Sequence, residues 1–162
     1  MDKKLFVVAV IPAFNEERTI GKVVLLARRY VDRVVVCDDG SMDLTAVIAE
    51  GLGATVIRHD RNMGKGAALK TMLEYLKQLN PDVVVTLDGD GQHDPDGIPG
   101  LVEPIIEGKA DLVVGSRYVE GSETDAPFYR RFGLKLVNLV SRRSGKGVVG
   151  DTQSCFRTYC AL

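Results

Sequence analysis

The chain has 162 residues, 45% of them hydrophobic and 27% charged, with 21 Lys/Arg against 22 Asp/Glu and only 6 Pro. One globular domain fits that size and composition; disorder, collagen and coiled-coil architectures do not, and no apolar run approaches the roughly 18–20 residues of a membrane span. The cysteines Cys37, Cys155 and Cys160 form no CxxC pair and no disulfide framework, which fits a reducing compartment.

In chain order, dense Val/Ile runs alternate with helical patterns. A strand is predicted over Leu5–Ile11, ended by Pro12, then a helix from Glu16 to Tyr30 carrying Ile20, Val23, Val24 and Ala27. A second strand, Arg33–Cys37, precedes a helix from Asp43 to Leu52 that Ser41 or Asp43 can cap. The third pair is Ala54–Arg58 and a helix from Gly66 to Leu79, with Leu69, Met72, Leu73 and Leu76 at helical spacing. The fourth is Val83–Leu87 and a helix from Pro95 to Glu107, weakened by Pro99 and Pro104. A fifth strand, Leu112–Val114, leads into a polar loop, Ser116 to Ala126, and a last helix from about Pro127 to Arg143. The strands hardly alternate, so they are expected to be buried on both faces of a mainly parallel sheet with flanking helices.

Charge is unevenly spread. Residues 1–116 hold 13 Lys/Arg and 18 Asp/Glu, whereas residues 117–146 hold 7 and 3. On the last helix Arg131, Lys135, Asn138 and Arg142 form one stripe beside Phe132, Leu136, Leu139 and Val140. Such a stripe suits an anionic partner, or it is a helix face turned to water.

Sites in parallel α/β sheets gather at the carboxyl ends of strands. After the first strand comes Pro12-Ala13-Phe14-Asn15-Glu16-Glu17, with no GxGxxG, so a dinucleotide site lacks its main support. After the second comes Asp38-Asp39-Gly40-Ser41, two adjacent carboxylates that need a compensating hydroxyl, base N–H or cation, unless they only form a turn and a helix cap. After the third, Asn62-Met63-Gly64-Lys65-Gly66-Ala67 puts glycines and Lys65 at a helix start, where a phosphate can be received. After the fourth, Asp88-Gly89-Asp90-Gly91-Gln92-His93 aims two carboxylates at one divalent ion, Mg²⁺ or Mn²⁺, with Gln92 able to add an oxygen. An EF-hand is excluded there by His93 and Pro99; an aspartyl-phosphate phosphohydrolase with Asp88 as nucleophile and a functionless polar turn remain open. After the fifth strand, Arg117 in Gly115-Ser116-Arg117-Tyr118 can bind a phosphate or simply face water.

The segments PAFNEE (12–17), DDGS (38–41), NMGKGAAL (62–69), DGDGQHDP (88–95), GSRY (115–118) and DTQSCFR (151–157), in this order, resemble the family 2 glycosyltransferases of the GT-A fold, nearest the polyprenyl-phosphate sugar synthases. The resemblance implies an α/β GT-A-like fold over residues 1–162 as a single catalytic domain that stops short of the interfacial helices and membrane spans found in related proteins. It implies inverting, metal-dependent transfer of a sugar from a nucleotide-sugar donor, of GDP-mannose or UDP-glucose type, to a polyprenyl-phosphate acceptor. Pro12, Phe14, Glu16, Asp38, Asp39, Lys65, Asp88, Gly89 and Asp90 would hold the donor, and Asp88, Asp90 and Gln92 would ligate Mg²⁺ or Mn²⁺. Asp90, Arg117, Arg131, Asp151 and Gln153 would carry the chemistry, the two arginines gripping the acceptor phosphate and Asp151 and Gln153 facing the sugar. A peripheral position at the inner face of a membrane, on its surface or through a membrane partner, is expected, with no nucleic-acid partner. Phe14 stands where the family often has Tyr, Gly91 where a larger residue is common, and Cys155 where Gly is usual. Two other functions fit parts of the pattern: a Mg²⁺-dependent phosphohydrolase, and a non-catalytic module that binds nucleotide-sugar.

Overall fold

The computed structural model describes residues 5–115 and 156–160. Five strands follow the predicted order: β1 (Val7–Ala13), β2 (Arg33–Asp38), β3 (Thr55–Arg58), β4 (Val83–Thr86) and β5 (Leu112–Val114). Between them lie α1 (Ile20–Ala27), α2 (Thr45–Gly51), α3 (Lys65–Leu79) and, after a single 3-10 turn at Pro95–Gly97, α4 (Ile98–Ile106). A further strand, β6 (Arg157–Cys160), which the sequence reading did not foresee, completes a sheet of order β3-β2-β1-β4-β6-β5. β1, β2, β3 and β4 are mutually parallel, while β6 runs antiparallel to both β4 and β5.

The unbroken apolar strands are explained by two cores, one on each face. Along β1, Val7, Ala9, Ile11 and Ala13 join a cluster with α1 and α4, whereas Val8 and Val10 join Ala68, Met72 and Leu76 of α3. β2 divides in the same way, Val34 and Val36 against Val35 and Cys37. Period-two side chains buried on both sides leave no position for a polar residue, hence the Val/Ile runs.

Several boundaries differ from expectation, and three of them have clear local reasons. β1 continues through Pro12, which pairs with Cys37 of β2, instead of stopping before it. The Val10 carbonyl accepts from Leu87 N on the β4 side, and the last β1–β4 pair is Val10 with Thr86. By strand alternation the missing N–H of Pro12 falls on that same side, beyond the last rung, so the proline costs no sheet hydrogen bond. α1 starts at Ile20, not Glu16, because residues 16–19 form a turn in which the Thr19 and Ile20 amides both donate to the Glu16 carbonyl. α2 starts at Thr45, whose amide donates to Asp43 at 3.0 Å; Ser41 instead accepts from the Asn15 amide at 2.8 Å.

Candidate active site

The β1–β4 pairing ends with Val10 and Thr86, and beyond it a cleft of about 290 Å³ lies at the carboxyl edge of the sheet. Its described walls come from the end of β1 (Pro12, Ala13, Phe14, Glu16), from Asp39 after β2, from Asn62, Gly64, Lys65 and Ala68 at the start of α3, and from Asp88, Gly89 and Asp90 after β4. Of the residues expected to hold a nucleotide-sugar, all but Asp38 line it.

The adjacent carboxylates have different tasks. Asp38 is fully buried, 3.0 Å from Arg58 Nε, and its other oxygen accepts from the Ser41 amide at 3.1 Å. The parallel register sets Arg58 opposite Asp38, so the pair is a product of sheet alignment. Asp39 faces the cleft. Its Oδ1 accepts from the Met63 amide at 2.9 Å and lies 2.7 Å from His59 Nδ1, while Oδ2 accepts from the Gly64 amide at 2.7 Å. Burial by itself would raise the Asp39 carboxyl, but the Met63 amide, His59 and the Gly64 amide outweigh it and hold the group below the usual carboxylate range. Gly40 permits this turn: at φ +75° its backbone passes so near Arg61 that a Cβ would lie 2.4 Å from the Arg61 carbonyl carbon.

The loop after β4 is drawn close to β1. A Cβ on Gly89 would lie 3.2 Å from that of Ala13, and the Gly89 carbonyl accepts from the Thr19 hydroxyl at 2.8 Å. Lys65 Nζ sits 2.5 Å from Asp88 Oδ1, and Asp90 Oδ1 accepts from the Gln92 amide at 2.9 Å. His93 turns inward and packs against Phe156, ring centroids 5.5 Å apart, which ties this loop to the start of β6.

The fit to a divalent cation is good in chemistry and incomplete in number. Asp88 and Asp90 present hard oxygens on one wall, and the Lys65 ammonium already marks a cation-accepting position beside Asp88. Gln92 is exposed and lies outside the described cleft wall. Among the described residues no group of three His, Cys, Asp or Glu could hold a metal, so a nucleotide phosphate and water would have to complete the shell. Arg117, Arg131, Asp151 and Gln153 lie outside the described residues.

Sequence reasoning missed the groups that support the cleft: Arg58, His59 and Thr71 behind the carboxylates, and Thr19 under Gly89. Arg58 and His59 were findable in principle, since residues at the end of β3 can neighbour the acidic pair at the end of β2 in a parallel sheet. Thr19 and Thr71 carry no sequence signal of that kind.

A mostly parallel sheet with helices on both faces and a carboxylate-lined cleft at its carboxyl edge is the arrangement of a GT-A glycosyltransferase. The sequence model for glycosyl transferase family 2 matches residues 8–161, and the chain belongs to that family. It is 37% identical over 152 residues to an uncharacterised protein of Methanocaldococcus jannaschii, covering 93% of this chain and 63% of that protein. It is 33% identical to the UDP-N-acetylglucosamine–dolichyl-phosphate N-acetylglucosaminyltransferase of Methanococcus voltae, covering 98% and 70%. With the dolichol-phosphate mannosyltransferase of Pyrococcus furiosus the identity is 34%, covering 82% of this chain and 39% of that one. Among solved structures, glucosyl-3-phosphoglycerate synthase from Mycobacterium tuberculosis, in complex with Mn²⁺, UDP-glucose and phosphoglyceric acid, superposes with a TM-score of 0.74 at 28% identity, covering 97% of this chain and 57% of that one. The chain thus spans between about two fifths and seven tenths of the length of these relatives. Membership of a glycosyltransferase family goes against the phosphohydrolase alternative, which needed Asp88 as a nucleophile. Among the described residues no helix is long and apolar enough to cross a membrane.

Proposed function

We propose that this domain binds a nucleotide-sugar of GDP-mannose or UDP-glucose type and supports metal-dependent, inverting transfer of its sugar to a polyprenyl or dolichyl phosphate. The observation that carries this reading is the convergence of Asp39, Lys65, Asp88 and Asp90 on one cleft with Pro12, Phe14 and Glu16. Asp39, held ionised, accepts an N–H of the base. Lys65 would leave Asp88 to meet the diphosphate, and Asp88, Asp90 and Gln92 would hold Mg²⁺ or Mn²⁺. That cation, when bound, neutralises charge on the departing nucleoside diphosphate.

An acceptor phosphate is already an anion, so it needs orientation more than deprotonation. Arg117 and Arg131 are assigned to that task, and Asp151 and Gln153 to the sugar, by the resemblance to the family. The excess of Lys/Arg over residues 117–146 supports a position against an anionic membrane surface, and the names of the dolichyl-phosphate relatives support the acceptor class.

Calorimetry with GDP and UDP, each in Mn²⁺, Mg²⁺ or EDTA, tests the reading. One diphosphate should bind, and EDTA should weaken it. Equal affinity with and without metal would remove the role given to Asp88, Asp90 and Gln92; no binding of either nucleotide would remove the function.

A further inference from the structure

We infer that His59, fixed in turn by Thr71, is a positioning residue that aims Asp39 at the base of the bound nucleotide. This rests on the function proposed above and adds a residue to it. A carboxylate offers about four acceptor directions. Three on Asp39 are occupied, by the Met63 amide, the Gly64 amide and His59, which leaves one on Oδ2 among the described residues. Because Asp39 lines the cleft, that direction is the one available to a ligand.

The histidine is held from behind so that it must donate forwards. Its Nε2 lies 2.9 Å from the Thr71 hydroxyl on α3 and 3.7 Å from Cys37 Sγ on β2. Burial first, then the Asp39 and Asp38 charges, push the Cys37 thiol up to about 11, so it stays protonated and can donate. An ionised carboxylate can only accept, so Nδ1 facing Asp39 carries the proton, and the Thr71 hydroxyl and the Cys37 thiol can both donate to Nε2. The His59 amide also donates to the Asp38 carbonyl at 2.9 Å, and the side chain is only 10% exposed. The arrangement is a chain of contacts, Thr71 to His59 to Asp39, linking a helix to the residues that follow two strands, with its last acceptor direction toward the cleft.

The consequence is selection among bases. A fixed acceptor suits the ring N–H of uracil or guanine, and meets only a lone pair at the corresponding nitrogen of cytosine or adenine. Loss of the His59 donor lets the carboxylate turn, so base preference should fall while contacts to the phosphates persist.

UDP, GDP, CDP and ADP, with Mn²⁺, are titrated into the wild-type chain, His59→Ala, His59→Asn and Thr71→Val. His59→Ala should weaken the preferred diphosphate about tenfold and erode its advantage over CDP and ADP. His59→Asn, whose amide N–H can replace Nδ1–H, should restore most of the preference, and Thr71→Val should fall between. Unchanged affinity and base ratio in His59→Ala would overturn the inference and leave the proposed function standing. An equal weakening of all four diphosphates, without rescue by Asn, would also overturn it by showing a purely structural role. If His59→Ala does not fold, the base ratios of His59→Asn and Thr71→Val decide: a retained ratio in the first with a reduced one in the second supports the inference, and an unchanged ratio in Thr71→Val overturns it. A wild-type chain that binds none of the four removes the proposed function and this inference with it.

Discussion

Lys65 and Asp88 meet across the cleft, Nζ 2.5 Å from Oδ1, and so join the first residue of α3 to the loop after β4. The lysine side chain is 47% exposed and the aspartate 20%, which leaves solvent free to screen the pair. Its position matters more than its strength, because under the proposed function both partners change contacts when a diphosphate and its cation enter.

Lys65→Met should therefore separate stability from binding. Its thermal unfolding should change by less than about 1 kcal/mol, the usual limit for an accessible ion pair. Affinity for the nucleoside diphosphate should fall about tenfold, the loss of one charge-assisted contact, while the weaker affinity for the unphosphorylated nucleoside stays as it was. Calorimetric titration of both ligands checks the separation; an equal loss for nucleoside and diphosphate would remove Lys65 from the phosphate subsite.

Asp39 gives a pH prediction with a definite sign. Its carboxyl is held below the ordinary value in the folded chain, against a raising effect of burial, by the Met63 amide, His59 and the Gly64 amide. A depressed group contributes stability that is present above the unfolded value of about 3.9 and is lost as pH falls toward the folded one. Melting temperature should thus drop more steeply below about pH 4 in the wild-type chain than in Asp39→Asn. Parallel acid profiles for the two proteins would contradict this reading of the carboxylate.

Gly40→Ala tests the turn that follows Asp38 and Asp39. The backbone there has φ +75°, and a Cβ would lie 2.4 Å from the carbonyl carbon of Arg61 and 2.7 Å from the amide nitrogen of Asn62. Neither atom belongs to a side chain that can swing away. A left-handed alanine and a backbone clash together should cost at least about 2 kcal/mol, read from urea unfolding. A loss under half of that would mean that the loop between β3 and α3 yields easily.

Much of the architecture was legible because strand burial on two faces leaves a simple signature. The Val/Ile runs located five strands, and Ile20, Val23, Val24 and Ala27 located α1. β6 escaped because Arg157–Cys160 is short and polar, with Thr158 buried through its sheet position instead of its hydrophobicity. The wall of the cleft was legible wherever a loop followed a strand and carried charge. Asp38 was assigned to that wall with Asp39, yet the register with Arg58 turns it inward, and pairing across strands is not written in local sequence. Asn15 illustrates the same limit: it reads as a turn residue, but its amide and side chain bind Ser41 and the Met42 amide, 26 and 27 positions away.

Pro12 has a consequence for how the mouth of the sheet behaves. In a parallel ladder the next rung beyond Val10 and Thr86 would run from the N–H of residue 12 to the carbonyl of Leu87, and a proline has nothing to give it. That rung is therefore absent, although the chain after β4 still lies close to β1, a Cβ on Gly89 falling 3.2 Å from that of Ala13. The end of the ladder is thus set by the covalent chemistry of the backbone, and the segments beyond it are held by other contacts, such as that of the Thr19 hydroxyl with the Gly89 carbonyl.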